Sequence, residues 1–93
     1  MGRYGLVVSP TAKKHIQQHR KSGNRVTMER IERILEELQE HPTTGFASPE
    51  PLKGNLSGFW SRQINKKDRI IYTINDETVI VYVISAKGHY GDK

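Results

Sequence analysis

The chain has no cysteine, no internal repeat and no apolar run approaching the roughly 18 residues that a membrane-spanning helix needs. The first absence excludes a disulfide framework, a thiolate zinc site and a cysteine nucleophile. A length of 93 residues leaves room for one domain, spanning 1–93, near the size at which a single core can hold without covalent staples. Hydrophobic burial therefore has to stabilise it alone. No basic segment followed by a long apolar stretch opens the chain, so no signal peptide is expected and a cytoplasmic location is the default. Metal-ligand spacing is also missing. His15 and His19 stand four apart on a predicted helix, but no carboxylate or thiol accompanies them, so neither a metal nor a cofactor is expected.

Positive charge is in excess. Fifteen Lys and Arg against ten Asp and Glu give a net charge of +5 and a pI near 9.7, which suits a polyanionic partner, either nucleic acid or an acidic protein. The charge is uneven, because Glu29, Glu32, Glu36, Glu37 and Glu40 gather in one segment and leave the cations to the other surfaces.

Tyr4 to Ser9 reads as a short β-branched strand, and Ser9-Pro10 supplies an N-cap followed by proline at the first helical position. The helix that follows carries few apolar residues, Ala12 and Ile16, and Gly23-Asn24 marks its stop. Thr27 is the expected cap of a second helix, in which Met28, Ile31, Ile34, Leu35 and Leu38 recur at helical spacing before His41-Pro42 ends it. Residues 43–55 read as loop. Three strand-like runs follow, at about 59–64, 69–74 and 79–85, joined by the polar turns Asn65-Lys66-Lys67-Asp68 and Asn75-Asp76-Glu77-Thr78. The expected fold is α+β, with two helices packed on a small, mainly antiparallel sheet in β-α-α-β-β-β order. Phe59 and Trp60 are adjacent in one strand, so one of them must face away from the core.

The chemistry concentrates in Pro49-Glu50-Pro51-Leu52-Lys53-Gly54-Asn55-Leu56-Ser57-Gly58-Phe59-Trp60-Ser61-Arg62, together with Arg69 and the late pair His89-Tyr90. These residues supply a carboxylate, cations, an imidazole and a phenol. That set can cut RNA without a metal: a base for the ribose 2′-hydroxyl, cations for the crowded phosphate and an acid for the departing 5′-oxygen. Glu50 is held between two prolines, which restrict its backbone to extended conformations and so steady its carboxylate. Arg62 and Arg69 lie on neighbouring predicted strands and can meet a phosphate if their faces agree. Each residue also has a plainer reading: an exposed loop carboxylate, a solvated sheet face, a solubilising lysine at Lys53, a tail at His89-Tyr90.

The run from Pro49 to Arg69 and the His89-Tyr90 pair resemble the signature of the YoeB (Txe/YoeB) toxins, within the RelE/ParE toxin superfamily. The resemblance implies a RelE-like fold and the toxin role in a type II toxin–antitoxin system. It further implies a metal-independent endoribonuclease that cuts messenger RNA at the ribosomal A site, through 2′-hydroxyl attack giving a 2′,3′-cyclic phosphate or 3′-phosphate. In that reading Glu50 is the base, Arg69 stabilises the transition state, His89 is the acid, Tyr90 orients the substrate, and Lys53 and Arg62 bind it. The implied partners are a YefM/Phd-type antitoxin and messenger RNA on the ribosome, with ribosomal RNA contacts, and a homodimer is compatible with the family. Many relatives carry two adjacent arginines after Trp-Ser, where this chain has Arg62-Gln63, and their chains often stop at the tyrosine. The alternative is a non-catalytic basic RNA-binding or regulatory module with the same fold.

Overall fold

A computed structural model describes residues 4–87. Strand β1 (Gly5–Val8) leads into helix α1 (Pro10–Lys21), where the Ser9 hydroxyl accepts a hydrogen bond from the Ala12 N–H and Pro10 takes the first turn, whose N–H groups have no helical partner in any case. Helix α2 (Arg25–Leu38) begins two residues before the expected cap, Thr27. Asn24 caps it, accepting from the Thr27 N–H at 3.0 Å, while Thr27 itself is buried inside the first turn. Gly23, at φ +80°, makes the reversal between the helices, and the observed cap, Asn24, is the second residue of the predicted Gly23-Asn24 stop.

A two-residue strand, β2 (Glu50–Pro51), interrupts what reads as loop, followed by a 3₁₀ turn at Gly54–Leu56. Strands β3 (Phe59–Gln63), β4 (Arg69–Asn75) and β5 (Ile80–Ser85) form the expected meander. Val79 adopts φ +57°, costly for a β-branched residue, which is why β5 starts at Ile80. The five strands stand in the order β1-β5-β4-β3-β2, with β1 parallel to β5 and every other pair antiparallel. The N-terminal strand, which has no hairpin partner, is thus paired with the last strand through Gly5↔Ile80 to Val8↔Val83.

Ile31, Ile34 and Leu38 of α2 and Ala12 of α1 pack on Ile70, Tyr72, Val81 and Val83, all fully buried. This is one layer of helices on one face of the sheet. Trp60 joins that packing, whereas Phe59 lies opposite Thr73 on the other face, which settles which of the two aromatics points inward. Between Ile71 and Tyr72 the pairing with β5 shifts by one residue, so that Tyr72 faces Val83 and Ile71 faces Ser85. Such a bulge re-aims the end of a strand.

Candidate active site

Cross-strand partners share a face, so the register Glu50↔Ser61, Ser61↔Ile71 and Ile71↔Ser85 draws one row across β2, β3, β4 and β5 on the face away from the helices. The neighbouring row pairs Gln63 with Arg69. Glu50 Oε1 stands 3.7 Å from Arg69 Nη1, and the same nitrogen lies 3.4 Å from Ser61 Oγ. The side chains of Glu50 and Arg69 are 62% and 25% exposed, so the pair is held yet reachable from solvent. Ser61, Ile71 and Ser85 are buried, so the accessible part of this face is its β2 side, where a carboxylate beside a guanidinium can accept a proton and neutralise a phosphate in one place.

Pairing to β3 is what fixes Glu50. The Leu52 N–H donates to the Phe59 carbonyl at 2.8 Å, closing the ladder beyond Pro51, and the prolines on either side keep the segment extended. Lys53 follows in extended conformation and is exposed, ahead of the 3₁₀ turn. Before Glu50 the chain is strained: Ala47 and Ser48 both adopt left-handed conformations, φ +71° and +54°. Each costs on the order of 1 kcal/mol or more and persists only where the surroundings over-determine it.

Arg62 provides that determination, and its expected role as a phosphate contact is corrected by the structure. Its side chain is fully buried on the helix face, opposite Ile70, and does not share a face with Arg69. Nε donates to the Tyr72 hydroxyl at 3.1 Å; Nη1 donates to Glu37 Oε1 at 3.0 Å and to the Phe46 carbonyl at 2.8 Å; Nη2 donates to the carbonyls of His41 and Thr44. All five donors of the guanidinium are engaged, which leaves none for a substrate. The Phe46 N–H returns to Glu37 Oε1 at 3.0 Å, the Tyr72 hydroxyl donates to the Pro42 carbonyl at 2.5 Å, and the Gln63 N–H donates to the Ala47 carbonyl at 2.9 Å. Gly45 lies in the same loop at φ +107°, where a Cβ would collide with the Glu37 carboxylate. Arg62 therefore binds residues 41–46 to the sheet, and the loop so anchored delivers Pro49 and Glu50 to β3.

Burial pushes the Glu37 carboxyl up, but the hydrogen bonds from the Phe46 N–H and Arg62, with the Arg62 charge, outweigh it and hold the carboxyl below the ordinary glutamate value. Burial pushes the Tyr72 phenol up, and its bond from Arg62 offsets this only in part. Sequence reasoning missed Glu37 and Tyr72 as partners of the loop and Ser61 as the neighbour of Arg69. Strand alternation fixes which residues share a face but not which face receives the helices. The expected residues His89 and Tyr90 lie outside the described residues.

Known proteins share this fold and much of this sequence. A family model described as the YoeB-like toxin of bacterial type II toxin–antitoxin systems matches residues 13–90. A Toxin YoeB of Mycobacterium bovis is 41% identical over 69 residues, covering 74% of this chain and 79% of that protein. Among solved structures, a YoeB/ParE toxin from Agrobacterium tumefaciens superposes with a TM-score of 0.84 at 27% identity, covering 92% of this chain and 99% of the other. The YoeB-YefM complex from Staphylococcus aureus gives 0.75 at 30% identity, covering 95% and 99%. With a family model spanning most of its length, the chain belongs to the YoeB-like toxins and is the toxin of a bacterial type II toxin–antitoxin system.

Proposed function

We propose that this toxin is a metal-independent endoribonuclease that cuts messenger RNA in the ribosomal A site. The observation that carries the reading is the Glu50–Arg69 pair, a carboxylate 3.7 Å from a guanidinium on the face of the sheet away from the helices. Glu50 removes the proton of a ribose 2′-hydroxyl, and the 2′-oxygen forms a bond to the adjacent phosphorus. Arg69 stabilises the negative charge that develops on the phosphoryl oxygens. The bond from phosphorus to the 5′-oxygen breaks, and His89 gives that oxygen a proton, leaving a 2′,3′-cyclic phosphate that water can open to a 3′-phosphate. Tyr90 orients the scissile nucleotide, and Lys53 holds a flanking phosphate. A domain of 93 residues has little surface for reading sequence, so a ribosome that presents a bent strand supplies much of the alignment for in-line attack.

The natural regulator in this reading is a YefM/Phd-type antitoxin, since the S. aureus relative is solved bound to YefM. The setting is cytoplasmic, and among the described residues no helix is long and apolar enough to cross a membrane. The test uses ribosomes programmed with a short messenger. A 2′-deoxyribose at the scissile position is expected to block cleavage, chelator to leave it unchanged, and Glu50→Gln to slow it by roughly 10²- to 10⁴-fold with ribosome binding retained. Ribosome binding without any cleavage would make the protein the non-catalytic basic module instead.

A further inference from the structure

Helix α1 carries two histidines that the mechanism does not use, and both close on one residue. His15 Nδ1 accepts the Ala86 N–H at 3.1 Å, and His19 Nε2 stands 2.8 Å from the Ala86 carbonyl oxygen, to which it donates. Ala86 has no exposed surface, so water cannot replace either bond. Both rings must carry their proton on Nε2: His15 because Nδ1 accepts, His19 because Nε2 donates. The same helix makes further contacts along the end of β5. Ser9 Oγ donates to the Ile84 carbonyl at 3.0 Å, and Lys87 Nζ donates to Gln18 Oε1 at 2.7 Å. Ala86 follows directly on the bulged end of β5 and precedes His89 by three residues in the sequence.

We infer that His15 and His19 are positioning residues, a clamp on both polar groups of Ala86 that sets where the catalytic C-terminal segment leaves the sheet. The inference rests on the reading of His89 as the acid. An acid three residues beyond a freed anchor loses its alignment, and small misplacements of a reacting group are costly in rate. The i, i+4 spacing that looks like half a metal site is thus consumed by the backbone of a single residue.

The two histidines differ in their response to pH. His19 donates whether neutral or charged, but a proton on His15 Nδ1 would face the Ala86 N–H and break the bond. Burial lowers the His15 pKa below the ordinary imidazole value, as do Lys87, His19 and Lys14, with Asp68 of the β3–β4 connection opposing them. The clamp is therefore intact at and above neutral pH and opens as pH falls below the ordinary imidazole range.

Four chains test this: wild type, His15→Ala/His19→Ala, His15→Asn/His19→Gln and His89→Gln. Asn Oδ1 and Gln Nε2 reproduce the accepting and donating atoms without titrating. The double alanine chain is expected to cleave at least about 10-fold more slowly in single turnover at saturating ribosomes, with ribosome binding unchanged. The Asn/Gln chain is expected to restore the rate. Amide exchange at Ala86 should accelerate by at least about 10-fold in the alanine chain at neutral pH. In wild type, once the intrinsic pH dependence is removed, protection at Ala86 should fall on acidification, and in the Asn/Gln chain it should not. An unchanged rate in the alanine chain, beside an inactive His89→Gln, overturns the proposal. If His89→Gln keeps full activity, the assignment of the acid fails instead, and exchange at Ala86 alone judges the clamp: unaltered protection in the alanine chain overturns it. Should that chain fail to fold, the wild-type pH series decides, since protection that does not fall on acidification overturns it equally.

Discussion

Two arginines seven residues apart in sequence have opposite surroundings because one residue of strand alternation separates their faces. Arg69 faces Glu50 and solvent; Arg62 is sealed under the helices, holding Glu37, Tyr72 and the carbonyls of the loop at 41–46. Arg69→Ala is expected to lower the single-turnover rate by on the order of 10²-fold or more and to leave the unfolding midpoint nearly unchanged. Arg62→Ala should behave in the opposite sense first, removing about 3 kcal/mol of stability by leaving buried carbonyls and the Glu37 carboxylate without their donor. Chemical denaturation of the two variants separates the roles, and an Arg62→Ala chain of wild-type stability would refute the anchor. Glu50 and Arg69 were legible through their resemblance to the YoeB signature, because residue chemistry alone leaves an exposed loop carboxylate and a solvated sheet face as the plainer readings; the structure sets the two 3.7 Å apart. Arg62 was not legible. Its partners are mostly backbone carbonyls of a distant loop, and no side-chain pattern announces a carbonyl that has lost its water. The register also places Gln63, and not Arg62, beside Arg69, so the departure from the paired arginines of many relatives falls on the accessible face.

At the scale of elements, periodicity named α2 and the three strands of the meander, the Ser9-Pro10 cap signal named α1, and errors fell where short polar side chains compete for one end. Asn24 and Thr27 are both good caps, but Gly23 at φ +80° turns the chain one residue before Asn24 and so selects it. Strand β2 escaped detection because two residues, one of them proline, carry no period. The loop it ends depends on charge through Glu37 and Arg62. Glu37 has a folded pKa held below its unfolded value, so its contribution is present above the ordinary glutamate pKa of about 4.3 and is lost as pH falls through the folded value. Tyr72 has a raised folded pKa, so its contribution is complete below about pH 10 and is lost as pH rises through the folded value. Stability measured by denaturant from pH 3 to 11 should therefore fall at both ends. Glu37→Gln keeps an accepting oxygen for Phe46 and Arg62 but cannot titrate, and should remove part of the acid limb; an unaltered limb would show that Glu37 does not carry it.

For the whole molecule, the sheet divides the labour: the helices cover one face and stabilise the chain, while the other face carries Glu50, Ser61 and Arg69 at its β2–β4 side. The strand order then returns β5 beside β1, and α1 lies against the exit of β5, so both ends of the chain support the same layer. Charge does not follow that division, since α1 exposes Lys13, Lys14, Arg20 and Lys21 on the helix layer. Glu29, Glu32 and Glu36 are exposed on α2, whereas Lys53 is exposed just past Glu50, where an RNA strand on the accessible face would continue. Lys53 is a mobile point charge, unlike the held fork of Arg69, and should act on affinity before chemistry. Lys53→Ala is expected to weaken binding of a single-stranded RNA most at low salt, and to reduce the slope of log K against log salt by about 0.7, the share of one phosphate contact on a single strand. Its single-turnover rate at saturating ribosomes should stay within a few-fold of wild type, while Arg69→Ala stays slow however much substrate is added. Titrations at several salt concentrations, with rates at saturation, read both quantities from the same preparations. An unchanged salt slope would remove Lys53 from the RNA path and leave the flanking phosphate to another cation of this face.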